Sequence, residues 1–169
     1  MLYVLTGVRG AGKTTLIDRM RDDGHLILQP STTRLPRFDG EKEYEFVSTW
    51  PTDRYAWTIQ VGGHQYGVRK SEIERATDVL AFTVFEPAAI QTFYEYRRRS
   101  EISSLTIGLD TVATVAEQHI RVGMSAPRMM SMEQFDLARQ NVRDADICLD
   151  GDEKQILAKI KDLFSRHQT

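Results

Sequence analysis

The chain has 169 residues, 41% of them hydrophobic, and a formal net charge of −2. That length fits one domain with a real core. The near-neutral charge gives no electrostatic case for a nucleic-acid partner, and no apolar run is long enough to span a membrane.

Leu2-Tyr3-Val4-Leu5-Thr6 opens the chain as a short apolar run and predicts a buried strand. No signal peptide is expected ahead of a core strand. Gly7 to Thr14 then has the spacing G-x-x-x-x-G-K-[ST]. Leu16, Ile17 and Met20 follow at helical intervals, so the motif sits between strand and helix, the context a P-loop requires. Glycines let backbone N–H groups curl around a polyphosphate, and the helix N-terminus adds partial positive charge there. Arg9, Gly10, Ala11, Gly12, Lys13, Thr14 and Thr15 are therefore candidate binders of ATP. Lys13 is expected to reach the β- and γ-phosphates, and the Thr14 hydroxyl to ligate Mg²⁺.

The helix is expected to run to about Arg21 and to end at Asp22-Asp23-Gly24, before a short strand at Leu26–Leu28. Residues 31–69 break the pattern. Lys42–Val47 and Trp57–Val61 alternate like half-exposed strands, and Gly62-Gly63 makes a tight turn into His64-Gln65-Tyr66. This predicts a small antiparallel insert. Strands near Val79–Phe85, Leu105–Leu109 and Ile147–Leu149 alternate with helical patterns, one of them closed by Arg97-Arg98-Arg99 as a solvated helix end. Residues 122–131 read as a loop between helices, a connector or a mobile lid, with Ser131 as the N-cap of the next helix. Cys148, the only cysteine, lies in the apolar run Ile147–Leu149 and reads as a buried core thiol. A single cysteine excludes an internal disulfide and fits a reducing cytoplasm. The four histidines, His25, His64, His119 and His167, lack metal-ligand spacing.

Strands alternating with helices imply an α/β fold: a three-layer α/β/α P-loop architecture with a parallel sheet. The expected layout is one domain over 1–169, with core segments 1–30, 70–121 and 132–169, an insert at 31–69 and a lid at 122–131.

Ser31-Thr32-Thr33-Arg34-Leu35-Pro36-Arg37, followed by Tyr44-Glu45-Phe46-Val47-Ser48 and Gln65-Tyr66-Gly67, resembles the nucleoside-monophosphate-binding insert of guanylate kinases. Arg128 and Arg139 fall where that family carries lid arginines, and Asp144–Asp150 followed by a helix resembles its last strand and helix. The resemblance covers nearly the whole chain. It implies an ATP- and Mg²⁺-dependent kinase of a small nucleotide, as a monomer or homodimer. Ser31, Arg34, Arg37, Tyr44, Trp57, Tyr66 and Val68 would meet the acceptor, with Lys13, Arg128 and Arg139 stabilising the transferring phosphoryl. The charge chemistry agrees: two polyanions must be brought together, and planar arginine forks and tyrosine hydroxyls suit phosphate oxygens.

The match departs from the family at the base. Trp57 stands where an acidic guanine reader is usual, Val68 where a small hydroxyl residue is usual, and Pro30 precedes the arginine motif. The family's D-x-D-x-Q-G strand end appears as Phe82-Thr83-Val84-Phe85-Glu86-Pro87, so Glu86 or Asp110 would have to supply a carboxylate. Without a polar partner at the base edge, strong guanine selectivity is not expected. Trp57 and Val68 suggest an apolar wall, with core packing of the insert as the alternative reading of Trp57. The resemblance therefore implies a (deoxy)nucleoside monophosphate kinase. The alternatives are a sugar-phosphate kinase similar to ribose 1,5-bisphosphate kinases, which share the valine and lack the aspartate pair, or a non-catalytic guanylate-kinase-like binding module.

Overall fold

The computed structural model describes residues 1–123 and 130–167. Its central strand, β1 (Leu2–Gly7), is buried at every position. It lies between two further parallel strands, β7 (Ala81–Val84) and β8 (Ser104–Leu109). Burial on both sides explains its continuous apolar run. With β2 (Leu26–Ile27) and β9 (Ile147–Leu149) at the edges, the sheet has the order β2-β7-β1-β8-β9, parallel throughout.

Alternate residues of β1 feed two cores. Tyr3 and Leu5 pack with Leu16, Ile17 and Met20 of α1 (Lys13–Asp22), Phe135 and Val142 of α5 (Met132–Arg143), and Ile156, Ile160 and Phe164 of α6 (Glu153–His167). Leu2 and Val4 pack instead with Ile90 and Phe93 of α3 (Ile90–Arg99), and with Trp57 and Val68. These last two residues belong to a second sheet. The second face of the core is thus closed partly by a helix and partly by that sheet.

The second sheet contains β3 (Ser31–Thr32), β4 (Glu45–Phe46), β5 (Tyr55–Val61) and β6 (His64–Arg69), in the order β4-β3-β6-β5. The β5–β6 hairpin turns at Gly62-Gly63, both at positive φ, as a tight two-residue turn requires. The expectation of an antiparallel insert needs correction at one edge, because β3 and β4 pair in parallel. The loop between them swings out and returns, so Glu45 N–H bonds the Pro30 carbonyl at 2.8 Å and Val47 N–H that of Thr32 at 2.9 Å. β4 is correspondingly two residues long rather than the six that its alternation suggested. A short helix, α2 (Lys70–Arg75), leads back to the core.

Two local expectations hold in detail. α1 stops where Gly24, at φ +85°, turns the chain and its N–H bonds the Arg21 carbonyl at 3.0 Å. Ser131 caps α5 in a reciprocal capping box with Gln134. Cys148 is corrected: it is exposed. The strand β9 is an edge, and its middle residue faces outward while Leu149 points into the core. Among the described residues no helix is long and apolar enough to cross a membrane. The proposed lid at 122–131 falls largely on residues 124–129, which lie outside the described residues.

Candidate functional site

The carboxyl ends of β1, β7 and β8 meet at one corner, with β1 at the point where the strand order reverses, the usual binding crevice of such sheets. Here β1 hands over to the loop 8–12 and then to α1. Gly10 and Gly12 adopt φ of +80° and +90°. A Cβ on Gly12 would meet nothing within 4 Å, so its glycine answers to backbone shape rather than to crowding. The loop opens onto a cavity of about 320 Å³ lined by the seven candidate ATP binders, Arg9 to Thr15. Arg37, Glu43, Glu86, Arg121 and Val122 complete its wall.

Lys13 lies against its own loop. Its ammonium donates to the carbonyls of Gly7 at 2.6 Å and Val8 at 3.1 Å. Burial lowers its pKa, against the opposing pull of Glu86 and Glu43, and Arg37 and Arg9 add to the lowering. Burial raises the Glu43 carboxyl in turn, although Lys13 and Arg37 draw it down. A polyanion entering this corner would meet a Lys13 ammonium whose charge is held at a cost, so binding relieves part of it. Of the two carboxylates considered for the missing strand-end aspartates, Glu86 lines the cavity, directly beyond β7. Asp110 accepts from Arg139 Nε at 2.5 Å and Arg143 Nε at 2.9 Å. Burial would raise the Asp110 pKa, but these two arginines hold it below its ordinary value. Asp110 therefore ties β8 to α5.

The insert contributes unevenly. Arg37 lines both the P-loop cavity and a neighbouring cleft, and touches Glu41 at 3.8 Å. Arg34, expected to offer its fork to a phosphate, gives it to Glu41. Its Nη1 and Nη2 donate to the two carboxylate oxygens at 3.0 and 2.5 Å, and Nη1 also to the Leu35 carbonyl at 2.9 Å. Glu41 further accepts the Arg37 backbone N–H at 2.7 Å, so one buried carboxylate folds the loop around itself. Burial alone would lower the Arg34 pKa, but Glu41 raises it above its ordinary value.

Other acceptor candidates are also engaged within the protein. Ser31 is fully buried and donates to Glu45 at 2.7 Å, which in turn pairs with Arg69 at 2.8 Å. Tyr44 is buried, packs edge-on to Tyr66 at 5.7 Å between centroids, and donates to Glu86 at 3.4 Å. Burial, then Glu86 and Glu43, push its hydroxyl pKa well above the ordinary value. Trp57 and Val68, read as a substrate wall, are opposite each other across the β5–β6 pair and are 5% and 1% exposed. Trp57 packs against Phe93 at 5.0 Å and Tyr96 at 5.1 Å. Only about 10 Å³ of cavity remains between them and Tyr44, Tyr66 and Glu86. Trp57 and Val68 thus belong to the second core, the packing alternative read for Trp57.

Arg128 lies outside the described residues. Arg139 is engaged within the protein, on Asp110 and on the Ala113 carbonyl at 2.9 Å. Its position two turns into α5 turns it toward the end of β8. The arginine that does reach the P-loop is Arg121, in the last turn of α4 (Val115–Val122). It donates to Thr111 Oγ1 at 3.2 Å and the Gly10 carbonyl at 3.4 Å, and pairs with Glu117 at 2.6 Å. It also lines a further cavity of about 280 Å³ on the far side of Gly10 and Gly12, reaching Asp152 and Ile156. Sequence reading passed over Arg121 because a basic residue in a last helical turn is ordinary. Nothing but its place just before the loop at 123–131 marked it out.

Comparison with solved structures finds the crystal structure of guanylate kinase from Anaplasma phagocytophilum similar to this chain. The TM-score is 0.74 at 16% identity, over 100% of this chain and 86% of that one. At that identity the likeness is one of fold, and the chain has a guanylate-kinase-like fold. No protein-family model matches the sequence, and no curated protein matches it.

Proposed function

We propose that the protein is a Mg²⁺- and ATP-dependent phosphotransferase whose acceptor is a phosphate-bearing small molecule, first among them a (deoxy)nucleoside monophosphate. The observation that carries this reading is the cavity at the end of β1. Arg9 to Thr14 of the P-loop motif and the following Thr15 line it together with Arg37 and Glu86.

The residues suit the groups they would hold. The loop's glycines leave an open backbone cradle, Lys13 can exchange its carbonyl partners for phosphate oxygens, and the exposed Thr14 carries a hydroxyl at the cradle's edge. Mg²⁺ is held mainly by phosphates and water with few protein ligands, so a single hydroxyl such as that of Thr14 would serve it. When bound there, Mg²⁺ would neutralise charge on the transferring phosphoryl. Arg37 would orient the acceptor phosphate, while Arg34 and Glu41 hold the loop that carries it. Glu86 and Tyr44 would fix the acceptor side of the cavity. Arg121 would bear on the donor from above Gly10.

A second reading is a sugar-phosphate kinase. The closed space beside Trp57 favours it, since an acceptor without a base needs no room there. A coupled ATPase screen over ribo- and deoxynucleoside monophosphates and ribose 1,5-bisphosphate separates the two. ADP release stimulated by one class identifies it. Absence of stimulation by every acceptor, together with no binding of Mg-ATP, would overturn the phosphotransferase reading and leave a non-catalytic module.

A further inference from the structure

Between α1 and the loop at 37–43 lies a cleft of about 670 Å³. Its volume falls within the roughly 300–1,000 Å³ of small-molecule sites. The space beside Trp57, at about 10 Å³, is close to the minimum for a single water. The large cleft adjoins the P-loop cavity, since Thr14, Arg37 and Glu43 line both. A molecule seated in it needs only to pass these three residues to bring one end to Lys13.

The floor of the cleft is apolar, built from Ile17, Ile27 and Val84. Phe38 stands on its rim 59% exposed, a large aromatic left in water next to a cavity. Exposed aromatic faces of this kind gain most from a flat partner. Asp18 and Lys42 bring hydrogen-bonding groups to the same space. The combination of apolar side chains, an exposed aromatic, polar groups and an adjoining phosphate-binding loop matches a nucleoside monophosphate. A sugar phosphate would leave the apolar part of the cleft unfilled.

We propose that the acceptor's base occupies this cleft, stacked on Phe38, with its phosphate reaching the P-loop past Thr14, Arg37 and Glu43. The proposal rests on the phosphotransferase reading for its acceptor and for the kinetic arm of its test, whereas the fluorescence arm is independent of it. Phe38→Ala should raise KM for the preferred nucleoside monophosphate about tenfold, as loss of one base–aromatic stack does. KM for ATP should stay within about twofold, and KM for ribose 1,5-bisphosphate should not change. Phe38→Trp should restore the nucleotide KM. Its added indole emission, relative to wild type, should be quenched when AMP, GMP, CMP or UMP is titrated in without ATP.

Quenching without any transfer activity would sustain the cleft and sink the phosphotransferase reading. Transfer without quenching would overturn the cleft. So would an unchanged KM in Phe38→Ala alongside a raised KM in Trp57→Phe, which keeps the apolar packing but trims the hairpin.

Discussion

Lys13 and Arg34 are both cations in motifs that point to phosphate, yet the fold treats them in opposite ways. Lys13 faces an open cavity and rests on the carbonyls of its own loop, bonds that a ligand can replace. Arg34 is buried in a two-pronged pair with Glu41, whose side chain is 2% exposed. The core corner keeps its polar groups available, whereas the insert commits several of its own to internal contacts: Arg34 to Glu41, Ser31 to Glu45, Tyr44 to Glu86. A residue type at a family position therefore does not fix its role. What decides is whether a neighbour inside the protein already satisfies it.

The sharpest way to break that contrast is Glu41→Ala. It would strand a buried guanidinium and release the Arg37 N–H, so the loss of stability should be about 3–5 kcal/mol. Urea unfolding would measure it. A loss no larger than the roughly 0–1 kcal/mol of a surface pair would show that Arg34 is free for a ligand after all.

Arg37→Ala should act on chemistry instead. Removing a charge-assisted contact to the acceptor should cost about 1.5–3 kcal/mol in kcat/KM for the acceptor, with ATP affinity unchanged. Arg34→Lys, which loses the two-pronged pair, should mainly lower the melting temperature. If the two variants exchanged phenotypes, the assignment of roles would be reversed.

How much of this was readable beforehand follows the same division. The P-loop is one contiguous stretch whose demands are local, so spacing and context were sufficient. The parallel sheet announced itself through runs buried on both faces. The insert did not, because its contacts are remote: Trp57 is decided by Phe93 and Tyr96 on α3, and the two-residue β4 by a loop that returns alongside β3. An arginine in a polar loop looks the same in sequence whether phosphate or Glu41 awaits it. Cys148 was misjudged because an apolar run does not reveal that its strand is an edge.

A pH series run on wild type beside Glu41→Gln isolates the insert from other low-pKa carboxylates such as Asp110. Burial raises the Glu41 pKa, but Arg34 and the Arg37 N–H together bring it below its ordinary 4.5. A folded value below the unfolded one means the stabilisation is complete above pH 4.5 and is lost as pH falls through the folded value. Wild type should therefore lose stability on acidification below pH 4.5 more steeply than Glu41→Gln. Parallel curves from the two proteins would remove Glu41 as the source.

The smallest effect expected is at the two arginines near the donor. Arg121→Ala should weaken ATP binding by about tenfold, the order of one charge-assisted hydrogen bond, and Arg139→Ala should leave it unchanged. Calorimetric titration of Mg-ATP would distinguish them, and the reverse ranking would put Arg139 back over the P-loop.

The central claim is that the corner around Lys13 transfers phosphate. Its most direct test follows label from γ-labelled ATP into a panel of nucleoside monophosphates and ribose 1,5-bisphosphate, with wild type and Lys13→Ala side by side. Wild type should give an acceptor-dependent labelled product. Lys13→Ala, while folding normally, should lose turnover by about a hundredfold or more, as removal of a preorganised group at the transferring charge does. A labelled product formed by Lys13→Ala at a rate within a few-fold of wild type would contradict it.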